Sequence, residues 1–270
     1  MGKELQKLKR RKAALKQIED IEKKCDSALV IHYSCESFYD IKDGHTPRVT
    51  SIAIRNYSTG QTSSFSISKC AEQQGATVDE IDGRYDEFEK QMLDEYFDFI
   101  KSRHGYNFIH WNMRDINYGF QAIEHRYSVL GGTPFVIDDT RKFDLARAII
   151  AIYGVGYIGH KPNGRLHNLV ELNKMTTRDA LTGAEEAEAF NNKEFVKLHQ
   201  STLRKADILS NILERTIDGS LKTKATWWEI NGVHPAILIE VATKHWLWTL
   251  LTVIATITGI FATIMGFFNK

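Results

Sequence analysis

Side chains able to do chemistry are sparse and scattered along this 270-residue chain. Ten histidines are present, yet none falls in an HExxH pair on one helical face, so their spacing carries no zinc-hydrolase signature. Cys25, Cys35 and Cys70 form an odd set without CxxC spacing. They suit a reducing compartment and predict no zinc site. Gly154-Val155-Gly156 and Gly159 lack the strand-to-helix setting of a dinucleotide loop. They predict a flexible excursion from Tyr153 to Gly164 that would border a substrate groove, with His160-Lys161 touching phosphate or, by preference, only water. Acids are numerous, and two of them stand in Ser34-Cys35-Glu36-Ser37 and His110-Trp111-Asn112-Met113-Arg114-Asp115. Read alone, they are structural acids or parts of a site. As a structural acid, Asp115 would favour the start of a helix.

The elements that must position these residues follow from hydrophobic periodicity. Ala28–Tyr33 is a short apolar run and predicts a buried strand. Arg48–Tyr57 is rich in β-branched residues and predicts a second, with Thr62–Ile67 returning after the Thr59-Gly60 turn. From Arg84 to Arg103 apolar residues recur at threes and fours, the helical spacing. Tyr106–Trp111 predicts a fourth strand, Asp115–Leu130 a helix stopped by Gly131-Gly132, and Pro134–Ile137 a fifth strand. Helices are expected over Phe143–Ala151, Arg165–Leu172, Glu185–Phe190 and Phe195–Arg215. Strands interleaved with helices in this order predict an α/β domain with a mixed sheet covered by helices.

The flanks differ from this body. Residues 1–24 carry nine Lys or Arg against four acids, with Leu5, Leu8, Leu15, Ile18 and Ile21 at helical spacing. This basic N-terminal helix, residues 1–26, either packs by its apolar side or lies on anionic lipid or nucleic acid. The start of the chain has no apolar signal-peptide core. Met1-Gly2 is discounted as a myristoylation signal because position 6 is Gln. Net charge is +1, which gives no sign of a strongly cationic nucleic-acid binder. After the 27–217 body, residues 218–244 predict a linker and juxtamembrane helix that Pro235 would open. Residues 245–270 predict a transmembrane helix. Its core, Trp246–Phe268, has no charged residue, and its ~34 Å of helix exceeds the roughly 30 Å of a hydrocarbon core. Thr252, Ala255, Thr256, Gly259, Ala262, Thr263 and Gly266 fall on one face and suit helix self-association in lipid.

The local words of residues 27–216 resemble the DnaQ-like DEDD 3′–5′ exonucleases of the ribonuclease H-like fold. Ser34-Cys35-Glu36-Ser37 stands where that family has Asp-x-Glu-Thr. His110-Trp111-Asn112-Met113-Arg114-Asp115 is similar to His-Asn-x-x-Phe-Asp, and Val136-Ile137-Asp138-Asp139-Thr140 to an Ile-Asp-Thr strand. Leu166-His167-Asn168-Leu169 resembles the short helix before the last motif, and Gln200 to Ala206 its His-x-Ala-Leu-x-Asp-Ala. The resemblance implies a ribonuclease H-like mixed sheet flanked by helices. It implies four carboxylates around two Mg²⁺ ions. The sequence departs from that set: Glu36 and Asp115 remain, Ser34 and Lys205 replace two acids, and Gln200 replaces the general-base His. A lysine among so few acids repels Mg²⁺, which demands oxygen ligands, and would pair with Glu36 or Asp115 instead. A shifted register recruits Asp207, and Asp40, Asp43, Asp138 or Asp139 are other recruits.

The expected protein is therefore a membrane-anchored pseudonuclease with a cytoplasmic body, binding a nucleic acid, a nucleotide or a protein. It would act through its self-associating helix, as a membrane-disrupting effector in bacterial anti-phage defence would. No cofactor is expected. The competing readings are a membrane-tethered exonuclease using Glu36 and Asp115 with Mg²⁺ or Mn²⁺, and a passive membrane scaffold.

Overall fold

The structure is a computed structural model that describes residues 3–36, 46–231 and 246–268. Five strands form one mixed sheet: β1 (Ala28–Cys35), β2 (Val49–Asn56), β3 (Thr62–Ser66), β4 (Asn107–His110) and β5 (Lys142–Asp144). Their spatial order is β3-β2-β1-β4-β5. The first three pair antiparallel, with Ile31 opposite Ile54 and Ile52 opposite Phe65. β4 and β5 extend the sheet in parallel, with Val30 beside Ile109 and Ile109 beside Phe143.

Because side chains alternate across a strand, β1 supplies both faces. Leu29, Ile31 and Tyr33 enter one core with Phe88, Met92, Leu93 and Tyr96 of α4 (Tyr85–Lys101). α2 (Ile67–Gln73) and α3 (Val78–Gly83) join this side, as does α5 (Phe120–Val129). Ala28 and Val30 enter a second core beneath α1 (Lys3–Lys23), α6 (Leu145–Tyr153), α7 (Gly164–Leu172) and α9 (Phe195–Ile217). α8 (Gly183–Asn191) packs on α9 and sends Phe190 into the first core. α1 docks by Ala14, Ile18 and Ile21, so this basic helix rests on the body by its apolar side.

Several expected boundaries are corrected. The fifth strand lies at Lys142–Asp144 and not at Pro134–Ile137, where no strand forms and Val136 is exposed. α5 starts at Phe120, five residues after Asp115. Between them Asp115 accepts the Asn117 N–H at 2.9 Å and its own N–H donates to Tyr118 O at 3.1 Å. Such local bonds compete with a helical turn. The segment then closes on Gly119, at φ 153°, where a Cβ would lie 2.4 Å from the Met113 carbonyl carbon. Within the 153–164 excursion, Tyr157 and Ile158 are buried in the second core.

The C-terminal expectation is also corrected. α10 (Trp227–Asn231) is a short helix that starts after Thr226, and α11 (Trp246–Phe268) is helical. Among the described residues, however, no helix is long and apolar enough to cross a membrane. The hydroxyls of Thr252, Thr256 and Thr258 donate to carbonyls of their own helix at 2.8 Å. Thr252, Ala255, Thr256, Gly259 and Ala262 are exposed. The side chains of Thr263 and Gly266, together with Pro235 and Ile237–Thr243, lie outside what the structure describes.

Candidate functional site

In open α/β sheets ligands bind beyond the carboxyl ends of strands, where neighbouring strands diverge in direction. β1 is the strand with an antiparallel neighbour on one side and a parallel one on the other. Beyond its end lies a cavity of about 800 Å³, walled by the turn at 112–118, α8 and α9. An irregularity between Ser34 and Cys35 shifts the β1–β2 register there and turns the chain toward Glu36.

Four of the five expected site residues line this cavity: Ser34, Glu36, Asp115 and Lys205. Gln200 does not. It is exposed on α9, five residues from Lys205 and so about 140° around the helix. Of the acids considered as recruits, Asp207 faces away and pairs with Arg204 at 3.1 Å and Arg55 at 3.6 Å. Asp138 and Asp139 are exposed near β5, with Asp138 accepting the Thr140 N–H and Asp139 pairing Lys142. Asp40 and Asp43 lie outside the described residues.

Two acids of the cavity, Glu36 and Glu186, are held by cations of the fold. Arg48 forks onto Glu36, Nε to Oε2 and Nη2 to Oε1, both at 3.2 Å. Its guanidinium is fixed between the rings of Tyr85, 4.7 Å away, and Phe190, 5.1 Å away. Lys205, 5% exposed, places Nζ 2.7 Å from Glu186 Oε1, and not on Glu36 or Asp115 as its sequence position suggested. Ser201 Oγ donates to the same oxygen at 2.9 Å, while accepting the Leu181 N–H at 3.1 Å. Glu186 is held by α8, whose start carries a capping box between Thr182 and Glu185.

Two further residues complete the interior. His32 is 6% exposed, and burial, then the charges of Lys205 and His167, push its imidazole well below the ordinary value. It is neutral at pH 7, and neither ring nitrogen has a hydrogen-bond partner. Ser34 Oγ is likewise buried without a partner. Cys35 lines the same space, its thiol pushed up to about 12, chiefly by burial and then by Glu186. It is a thiol at neutral pH and not a thiolate nucleophile. At the adjoining strand end, His110 accepts the Met113 N–H on Nδ1 at 3.1 Å, and burial lowers its imidazole to about 4. It acts as a structural acceptor.

Sequence reasoning missed Glu186 and His32. His32 carried a signal: it is two residues before Ser34 on a strand and so shares its face. Glu186 sits in Ala-Glu-Glu-Ala, which reads as a solvated helix face, and only packing of α8 on α9 gives it a role. Among the described residues no group of three or more His, Cys, Asp or Glu side chains is disposed to hold a metal ion. A larger groove of about 1080 Å³ lies between α1, α6 and α10, with Arg10, Arg11, Arg147 and Trp228 in its wall. None of the buried unpartnered side-chain atoms belongs to its lining. In comparison with known proteins, the chain matches no family model, no curated protein and no solved structure.

Proposed function

We propose that the 27–217 body is a ligand-binding domain of nuclease-like architecture, a pseudonuclease that recognises a nucleic acid, a nucleotide or a protein without cleaving it. The single observation that carries this reading is the Lys205–Glu186 ion pair inside the cavity, at 2.7 Å. On the resemblance to two-metal nucleases, this fixed ammonium stands in the place of an oxygen ligand. The Arg48 fork on Glu36 acts in the same direction, since a carboxylate already neutralised by a guanidinium is a poor ligand for a second cation.

The resemblance to DnaQ-like exonucleases supplies the frame. It is supported by three antiparallel strands followed by two parallel ones, and by Ser34, Glu36, Asp115 and Lys205 converging on one space. The same donor set does not fit the two Mg²⁺ ions which that family implies. Of the lining acids, Glu36 and Glu186 face cations of the fold, and one ammonium projects among them.

The test is cleavage of labelled single-stranded DNA and RNA by the full chain with Mg²⁺ or Mn²⁺. The expected result is no metal-dependent product from wild type. Product that disappears in Glu36→Gln would establish the active exonuclease instead.

A further inference from the structure

The cavity contains two buried polar side chains that the protein itself leaves unsatisfied. Both His32 ring nitrogens and Ser34 Oγ are without partners, at 6% and 2% residue exposure. Native interiors pair nearly all such groups, because an unpaired one forfeits the hydrogen bonds it had in water. The two residues stand two apart on β1, so they project from one face, about 7 Å apart along the strand. Both residues line the cavity, so a molecule seated there is the nearest source of the missing partners.

The wall specifies what that is. A neutral imidazole offers one N–H donor and one bare nitrogen acceptor, and a serine hydroxyl both donates and accepts. The charges beside them are internally matched, Lys205 by Glu186 and Glu36 by Arg48. Among the described residues, a phosphate or carboxylate entering here would meet three carboxylates, Glu36, Asp115 and Glu186, against two cations, Arg48 and Lys205, each already paired with one of them. A divalent cation would meet the Lys205 ammonium. The ring of Tyr118, stacked on Tyr33 at 4.7 Å, adds an aromatic wall. Nucleobases present alternating donors and acceptors on the edge of a flat, uncharged ring.

Resting on the binding reading above, we infer that the cavity takes an uncharged nitrogen heterocycle of the nucleobase class, with its donor–acceptor edge against His32 and Ser34. The phosphate portion of any larger ligand then lies outside, away from the three carboxylates.

Calorimetric titration of the full chain with adenine, cytosine and uracil tests this, with inorganic phosphate as the charged control. At least one base is expected to bind and phosphate is not. Ser34→Ala is expected to weaken that binding roughly two- to tenfold, one hydrogen bond's worth. It should leave the resistance of the free protein to urea unchanged or higher, because it removes an unsatisfied hydroxyl. His32→Phe, similar in size, serves as the second variant and should also weaken binding. The inference is overturned if no base binds, if phosphate binds and bases do not, or if both variants bind as wild type does. Absence of base binding without nuclease activity removes this inference and leaves the pseudonuclease reading standing. Metal-dependent cleavage removes that reading, whatever the bases do.

Discussion

Replacing Lys205 by Met is the perturbation with the most to say about the site. The ammonium is 5% exposed and sits 2.7 Å from Glu186, whose side chain is 16% exposed. Methionine keeps most of the volume but strands the carboxylate, which retains the Ser201 hydroxyl at 2.9 Å as its donor. Breaking a buried pair from one side costs about 3–5 kcal/mol, and the partial wetting of Glu186 puts Lys205→Met near the lower end, ~3 kcal/mol. Glu186→Gln strands the more deeply buried partner and costs about as much. Together the two changes leave no unpaired charge, so their combined cost falls short of the sum by about 2 kcal/mol. Urea denaturation with linear extrapolation measures all four corners of this cycle. Two single costs below ~1 kcal/mol that add within about 0.5 kcal/mol would show that the pair is solvated, and the argument against metal binding would lose its main support.

Three further outcomes follow from the fold. Gly119→Ala drives a methyl into the Met113 carbonyl and is expected to destabilise by at least ~2 kcal/mol in a thermal or urea melt; a change under about 0.5 kcal/mol would mean the turn relaxes freely. Arg126→Met leaves Glu89, fully buried and bonded to the Val49 N–H at 2.6 Å, without its cation, and should cost about 3–5 kcal/mol by the same assay. His32, His110, His167 and His199 are all held below their ordinary value by burial. The unfolded chain takes up their protons as pH falls through about 6.5, and the folded chain lags behind, most at the deeply buried His32 and His110. Their contribution is thus complete above about 6.5 and declines below it, by up to ~1.4 kcal/mol per pH unit for His32 and for His110 and by less for the partly exposed His167 and His199. His32→Phe should flatten that decline between about pH 6.5 and 5, and an unchanged slope would contradict the buried neutral imidazole.

Much of the architecture was legible because its signals are local. The β-branched runs of β1 and β2 and the threes-and-fours of α4 and α9 place themselves. The short edge strand β5 does not: its three residues pair with β4 alone, whereas Pro134–Ile137 carries a stronger apolar signal without a partner. α2 and α3 are one or two turns long, below the length at which periodicity speaks. Within the site, Ser34, Glu36, Asp115 and Lys205 were reached through local words that resemble a family's motifs, and the fold brings those words to one strand end and the facing side of α9. The partner of Lys205 was not, since pairing with Glu186 depends on how α8 lies on α9. Gln200 was drawn in by a linear motif that the helix turns outward. At the C-terminus, the charge-free run led to a membrane span that the described helices do not supply.

The account turns on whether this cavity engages a divalent cation at all. Calorimetric titration of the full chain with Mn²⁺, followed by the same titration of Glu36→Gln, measures that directly. The prediction is no saturable binding in either protein. Stoichiometric Mn²⁺ binding to wild type that is lost in Glu36→Gln would contradict it.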